Sequence, residues 1–463
     1  MSVNVLFVNV QRMLAALALL LVIATTASAQ QGGGGQNIAG VEVDAKGVLR
    51  MKVVADPTGQ LQRQALEAAR VKLDRNLVRP SDSRKISLPR LEAALAARLA
   101  EGKTASDEMK NLAGLSRIRH VYYFPETQDI VLEGPAEGFA ADPTGRMVGI
   151  QSGRSILELQ DLIVALRAFP PQGGGANVIS VSIDPTKEGL AAMQQFLAKV
   201  IGRVTPGDAN AIATGLRESL GLQVVTFRGV STQTHFAQVL VEADYRMKLI
   251  GIGLEQPPVK IDSYVSRAKP ADVSRNAMER WYFTPNYECV KVTEDRLAME
   301  LVGDGVKLIG ENERVTAEGG RVNAAGVNKA SQAFVQQFTA KYPELAIKSP
   351  VYGQLRNLID LSVVAAYIQE QDFYGKSTWK MELFQNEQAY PVETYQTPRE
   401  VESAVNVIWK GNTLMTPIGG GVQIQPKKAL ASANLQVDEG TSLSDKRAKV
   451  QVDKLANDQW WWD

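Results

Sequence analysis

Little in this chain carries a chemical signature. Its 463 residues include one cysteine, Cys289, and two histidines, His120 and His235. A single cysteine excludes an internal disulfide, so packing alone must hold the fold even in an oxidising compartment. No HExxH or CxxC spacing exists, and a zinc site would need carboxylates for most of its ligands, so no metal or cofactor is expected. A surplus of charge is missing as well. Fifty-one Lys and Arg face 50 Asp and Glu, a balance that argues against nucleic acid as an electrostatic partner. Gly375-Lys376-Ser377 ends like a phosphate loop, but the glycine required five positions upstream is Glu370. Gly251-x-Gly253 and Gly303-x-Gly305 lack the third glycine of a dinucleotide fingerprint, and no G-x-S-x-G elbow occurs.

Long apolar runs are confined to the N-terminus. Arg12 precedes an apolar stretch over 13–24, followed by Thr25-Thr26-Ala27-Ser28-Ala29. The stretch is too short to span a bilayer comfortably, and Ala27-Ser28-Ala29 fits a small-x-small cleavage site. Residues 1–29 therefore read as a signal peptide cleaved after Ala29, giving an exported, periplasmic or extracellular protein. The alternative is an uncleaved anchor, helped by apolar residues 3–10 and by an n-region with only one basic residue. No cysteine follows the cleavage site to carry lipid, and nothing after residue 29 is long and apolar enough for a transmembrane segment. Loss of Arg12 leaves 50 basic and 50 acidic residues.

Composition is otherwise that of a globular protein, 45% hydrophobic and 22% charged, long enough for about two to four domains. Residues 30–40 form a Gly-rich lead-in. An N-terminal α+β domain is expected over 41–170, with helices near 61–73, 87–99 and 107–115 and a hairpin from 118–124 and 129–132. Ser155 is expected to cap an amphipathic helix running to Phe169. Pro170-Pro171-Gln172-Gly173-Gly174-Gly175 marks the boundary to a C-terminal α/β plus β-rich domain over 176–426. There, strand and helix patterns alternate to about residue 255, short strands fill 281–310, and helices occupy 330–341 and 350–369. Residues 379–425 read as strand-like, with Gly419-Gly420-Gly421 as a hairpin loop. The fold class is α+β (or α/β), mixed-sheet lobes packed with amphipathic helices in two main lobes. Residues 427–463 form a polar tail expected to be disordered, ending in Trp460, Trp461 and Trp462, whose role stays open between a partner's groove and the protein's own body.

The centre of the chain is 234–255. Phe236, Val239, Leu240, Ala243, Met247 and Ile250 recur at helical spacing. Glu242 with Arg246, and Asp244 with Lys248, stand four apart in the favourable order and are expected in water. Thr232 or Thr234 can cap the start; Gly251 and Gly253 stop the helix. A strand is the competing reading, since Ala237, Val239, Val241 and Ala243 alternate.

Candidate chemistry is sparse. Asp-Pro-Thr occurs at 56, 142 and 184, and three acids could converge on one site. The local reading is stronger, because Asp at turn position i with Pro next matches a type I turn or a helix start. Cys289 could pair with His120 or His235 as a thiol–imidazole couple, but its apolar strand-like setting suits an inert buried thiol. Arg117, Arg119 and His120 beside Tyr122, Tyr123 and Phe124 resemble a single-strand nucleic-acid surface, yet in a neutral exported protein a half-buried strand is expected.

Three blocks carry a family resemblance: 236–255 (FAQVLVEADYRMKLIGIGLE), Trp281-Tyr282-Phe283-x-Pro285-Asn286-Tyr287-Glu288 with Gly305-Val306-Lys307, and 350–368 (PVYGQLRNLIDLSVVAAYI). Over roughly 177–370 the chain resembles an uncharacterised family of exported planctomycete proteins defined by a domain of unknown function. The resemblance implies no reaction, ligand or catalytic residue. With no motif surviving, the expectation is an exported binding or interaction protein acting on an unknown protein or surface partner, and the rival is a hydrolase with a carboxylate site that leaves no motif.

Overall fold

In the computed structural model the described residues are 37–56, 58–200, 205–269, 277–315, 321–323, 328–406, 408–410, 413–415, 420–456 and 458–463. The expected signal peptide, and the lead-in up to residue 36, lie outside them. The lead-in's last residues, 37–40, already belong to a strand.

The first part of the chain carries β1 (Asn37–Val43), β2 (Val48–Ala55), β3 (Ser81–Ser87), β4 (His120–Phe124), β5 (Asp129–Ala136), β6 (Phe139–Ala141) and β7 (Met147–Gly149). Next come β8 (Ile179–Asp184), β9 (Leu222–Arg228), β10 (Ala277–Pro285), β11 (Val290–Val292), β12 (Ala298–Leu301), β13 (Val306–Val315) and β14 (Arg321–Asn323). The remainder holds β15 (Glu400–Glu402), β16 (Ile408–Lys410), β17 (Thr413–Met415), β18 (Gly421–Ile424), β19 (Leu435–Val437) and β20 (Trp461–Trp462). They build a nine-stranded mixed sheet, β1-β2-β15-β9-β8-β18-β10-β13-β14, and a seven-stranded one, β19-β11-β12-β4-β5-β3-β20, besides the ribbons β16-β17 and β6-β7. The α+β class is as expected.

The lobes are not. Both large sheets take strands from either side of 170–175, and one apolar core runs from Leu49 to Trp460 across that point. The Gly-rich stretch makes a surface turn and does not separate two cores. A satellite core sits beneath helices Lys187–Val200 and Ala209–Leu220, whose stripes Leu190, Met193, Leu197 and Ile212, Leu216, Leu220 face each other.

The central stretch folds as the helix His235–Gly251, capped by Thr234 Oγ1 accepting from Ala237 N at 3.2 Å. Gly253, at φ 76°, turns the chain away. Its stripe is buried as expected, but so is its polar face: Glu242, Asp244, Arg246 and Lys248 are 3%, 0%, 8% and 6% exposed. Other elements cover that face and supply partners. Arg246 pairs with Glu242 and with Glu255 (2.7 Å), and Lys248 bonds Asp244 (3.0 Å) and the carbonyl of Ile183 in β8 (3.1 Å). Against this helix packs Pro350–Glu370, buried at every position from Val351 to Ile368. A helix closed in on all sides is the core of the molecule, and polar groups survive there only with partners.

Other boundaries move for local reasons. Ser155 donates to the carbonyl of Pro350 (2.7 Å) and caps nothing; the helix is Leu159–Ala168, begun at Glu158. The helix expected at 330–341 runs over Lys329–Lys348, because Phe334, Phe338, Tyr342 and Leu345 continue one buried stripe through Pro343. Among the described residues no strand lies between Lys376 and Glu400. Side chains hold that stretch instead: Glu92 accepts from Leu383 N and Phe384 N (both 2.7 Å), and Arg167 donates to the carbonyls of Phe384 (2.7 Å) and Tyr390 (2.8 Å). Residues 416–419 lie outside the description, and β18 beyond them pairs with β8 and β10 rather than closing a hairpin.

The tail is ordered. It adds β19 and β20 to the edges of the seven-stranded sheet and a helix, Ser442–Ala448. Leu443, Val450 and Val452 cover Tyr122, Phe124 and Val131. That cover buries β4 throughout, so the basic-aromatic run near Arg117 is interior: Arg117 Nε donates to Asp360 at 2.9 Å, and His120 lies 3.4 Å from Glu133. The tryptophans fold back. Trp460 is buried, Trp461 and Trp462 pair with Ile86 and Lys85 of β3, and the Arg84 guanidinium lies 4.7 Å from the Trp461 ring centre. No helix among the described residues is long and apolar enough to cross a membrane.

Candidate functional site

Two helix starts meet at the mouth of a cleft. Glu158 and Asp161 occupy the N-cap and first turn of Leu159–Ala168, where acids complement the helix dipole. His235 is the first residue of the central helix, directly after its Thr234 cap. The helix Pro350–Glu370 contributes Gln354, and the turn after β6 contributes Arg146. That turn is an Asp142 device: its Oδ1 accepts from Thr144 N (2.8 Å) and Arg146 N (3.0 Å), while Thr144 Oγ1 accepts from Arg146 Nη1 (2.9 Å).

The side chains form one connected chain. His235 Nδ1 lies 2.8 Å from Asp161 Oδ2, and its Nε2 lies 3.8 Å from Glu158 Oε1 and 3.3 Å from Gln354 Nε2. Gln354 Oε1 accepts from Arg146 Nε (3.1 Å). Arg146 also pairs with Glu242, which meets Arg246 and, through it, Glu255. Burial opposes charge on His235, but Asp161 and then Glu158 overcome it and raise its pKa to about 9. Gln354 pulls the other way, since its amide nitrogen faces Nε2 and an imidazolium would set two donors against each other. Two anions within 4 Å outweigh one neutral contact, so His235 carries its proton at neutral pH.

Glu158, His235, Arg146 and Glu242 open on a cleft of about 1070 Å³, at the upper end of the range for ligand sites. The rest of the lining is mixed: apolar surface comes from Ala65 and Ala69 of the helix Gln60–Lys72, from Leu73 after it and from Phe139 and Val392, and charge from Lys72, Asp107 and Lys110. That helix buries none of its residues completely. Tyr395 closes one end, its ring centre 5.7 Å from that of His235.

The residues singled out by sequence are scattered. Asp56 caps Gln60–Lys72 through Gln62 N (3.1 Å), Asp142 holds its own turn, and Asp184 pairs with Arg280 (3.1 Å), so the three acids serve separate structures. Cys289 is buried, and burial pushes its thiol up to about 12. Neither histidine is its partner: His120 keeps Glu133, Glu300 and Lys446, and His235 keeps the cleft cluster. Sequence reasoning considered His235 only beside Cys289 and missed Glu158, Asp161, Gln354 and Arg146. Glu158-x-x-Asp161 looks like any acidic helix start, and Gln354 sits inside an apolar run.

The profile of a family described as a protein of unknown function (DUF1598) matches residues 181–264. That stretch includes His235 and the central helix but not Glu158, Asp161 or Gln354. No curated protein and no solved structure matches the chain.

Proposed function

We propose that the protein is exported, losing residues 1–29 on the way, and that it acts by binding an amphipathic small molecule in the cleft between Gln60–Lys72 and the start of the central helix. The observation that carries the binding reading is the mixed lining of the cleft. It holds apolar side chains, Ala65, Ala69, Leu73 and Val392, together with polar ones, Glu158, His235, Arg146 and Glu242. A ligand would lay its apolar body on the first set and turn its polar end to the second. Because no residue of Gln60–Lys72 is fully buried, this helix can yield on entry with little loss of packing.

The test uses an anilinonaphthalene sulfonate probe with the mature chain, and native mass spectrometry of protein from the exporting cell. Wild type should bind the probe and retain a small molecule, whereas Ala69→Trp, which fills the cleft, should lose both. Equal probe binding in the two proteins, with no retained molecule, rejects the reading. The mature chain should begin at Gln30.

One observation favours hydrolysis as a second reading. The protonated His235, held by Asp161, stands 3.8 Å from the Glu158 carboxylate at the cleft, and an acid beside a carboxylate that can accept a proton from water suits hydrolysis. Among the described residues no serine, threonine or cysteine is bonded to His235, so the water itself would have to be the nucleophile. Turnover in a hydrolase screen that disappears in His235→Ala would establish this reading over simple binding.

A further inference from the structure

The geometry points to a divalent transition-metal site, zinc in the first instance, formed by Glu158, Asp161 and His235 at the edge of the cleft. Each residue offers one ligand atom, and the three atoms lie within 4.8 Å of one another. Around a tetrahedral zinc, ligand atoms stand about 3.3 Å apart, as follows from bonds of about 2.0 Å. The pair His235 Nδ1–Asp161 Oδ2, at 2.8 Å, is already close-set. Small rotations of Glu158, at the open rim of the cleft, would complete the set.

Independent of that spacing, a buried carboxylate oxygen at the site lacks a donor. Asp161 Oδ1 is buried on a side chain only 6% exposed and has no hydrogen-bond partner among the described residues. Gln160, whose Nε2 donates to Glu158 Oε2 at 2.7 Å, has its Oε1 buried without a partner among the described residues as well. Buried acceptors without donors are rare, and an ion or an ordered water is what commonly satisfies them. In the wider chain four carboxylates, Glu158, Asp161, Glu242 and Glu255, meet the guanidinium groups of Arg146 and Arg246 and the His235 imidazolium. A doubly charged cation that displaces the imidazolium proton balances the four carboxylates with the two guanidinium groups.

The ligand types choose among cations. An imidazole with two carboxylates suits zinc, cobalt or manganese, whereas magnesium and calcium take oxygen ligands. Three protein ligands leave a fourth position for water or a ligand oxygen. Since Glu158 and His235 line the cleft, that position adjoins the binding space. The inference needs only these three side chains and does not depend on what the cleft binds.

The experiment takes the full mature chain, stripped with a chelator and dialysed, and titrates it with zinc chloride by calorimetry, with elemental analysis after gel filtration. Wild type should retain about one zinc per chain, and Glu158→Gln and Asp161→Asn should each weaken binding at least about tenfold, as loss of a ligand does. Cobalt supplies a second measurement, because its visible spectrum reports imidazole and carboxylate coordination in wild type without any substitution. No zinc retained by wild type, or retention unchanged in a folded Glu158→Gln, overturns the proposal. So does a cobalt spectrum identical to that of the hydrated ion. The anilinonaphthalene probe, read on the same zinc-free protein, reports the cleft separately, so loss of one result does not imply loss of the other.

Discussion

Glu242 stands between two guanidinium groups, those of Arg146 and Arg246, with its side chain 4% exposed. On a solvated helix face an (i, i+4) pair contributes only a few tenths of a kcal/mol. Here Glu242→Ala would leave two cations short of a partner in a nearly closed space, and breaking a buried pair costs about 3–5 kcal/mol. Equilibrium denaturation should show a loss comparable to that of Leu240→Ala, for which emptied core leucines give about 2–5 kcal/mol. Two helical turns of the same element also predict a pH dependence. Burial raises Asp244 to about 6 and lowers Lys248, against their mutual attraction. The folded state therefore holds a proton on Asp244 that the unfolded chain gives up near the ordinary carboxylate value of 3.8. This contribution to stability is complete below pH about 4 and is lost as pH rises through about 6. The stability difference between wild type and Asp244→Asn, measured from pH 4 to 7, should change across that interval and level off above it.

At the scale of elements, much of the chain was readable. The helix at 234–255, the 118–132 hairpin, the alternation of strands and helices up to about residue 255 and the helix opening at Pro350 all have periodicity or turn residues that settle them locally. Solvation of a face was not readable. Glu242-x-x-x-Arg246 has one sequence whether water or Arg146 lies opposite, and Arg146 comes from a turn almost a hundred residues earlier. The same reason hid the candidate site. Each member has an ordinary local role: Glu158 starts a helix, His235 follows a cap, Gln354 interrupts an apolar run. Only packing of the helices Leu159–Ala168, His235–Gly251 and Pro350–Glu370 brings them together. Residues 379–395 misled for a related reason, since the partners replacing a strand ladder, Glu92 and Arg167, belong to other elements.

For the whole molecule, the tail decides more than its composition suggests. Arg84 is fully buried and donates to Asp463 (2.8 Å) as well as to the carbonyl of Ala113 (2.8 Å). Trp461 lies against its guanidinium, and the Trp461–Trp462 strand covers the edge of β3. A chain ending at Asp458 would lose the carboxylate, the ring and the edge strand together. Thermal unfolding should report a loss of about 3–5 kcal/mol, the scale for a buried charge deprived of its partner. Light scattering should also rise, because an uncovered strand edge pairs with other chains.

The interleaving of the two large sheets has a consequence in time. Arg84 and Asp463 are 379 positions apart, and Arg50 and Glu402, which bond beside the β2–β15 pairing, are 352 apart. Contacts so distant in sequence form only after a large loss of chain entropy, so they set a slow rate of folding. During synthesis the strands β1 to β5 emerge hundreds of residues before β15 and β20 can join them. Through that interval their edges stay unpaired, and the nascent chain depends on remaining unfolded or shielded until the tryptophans arrive.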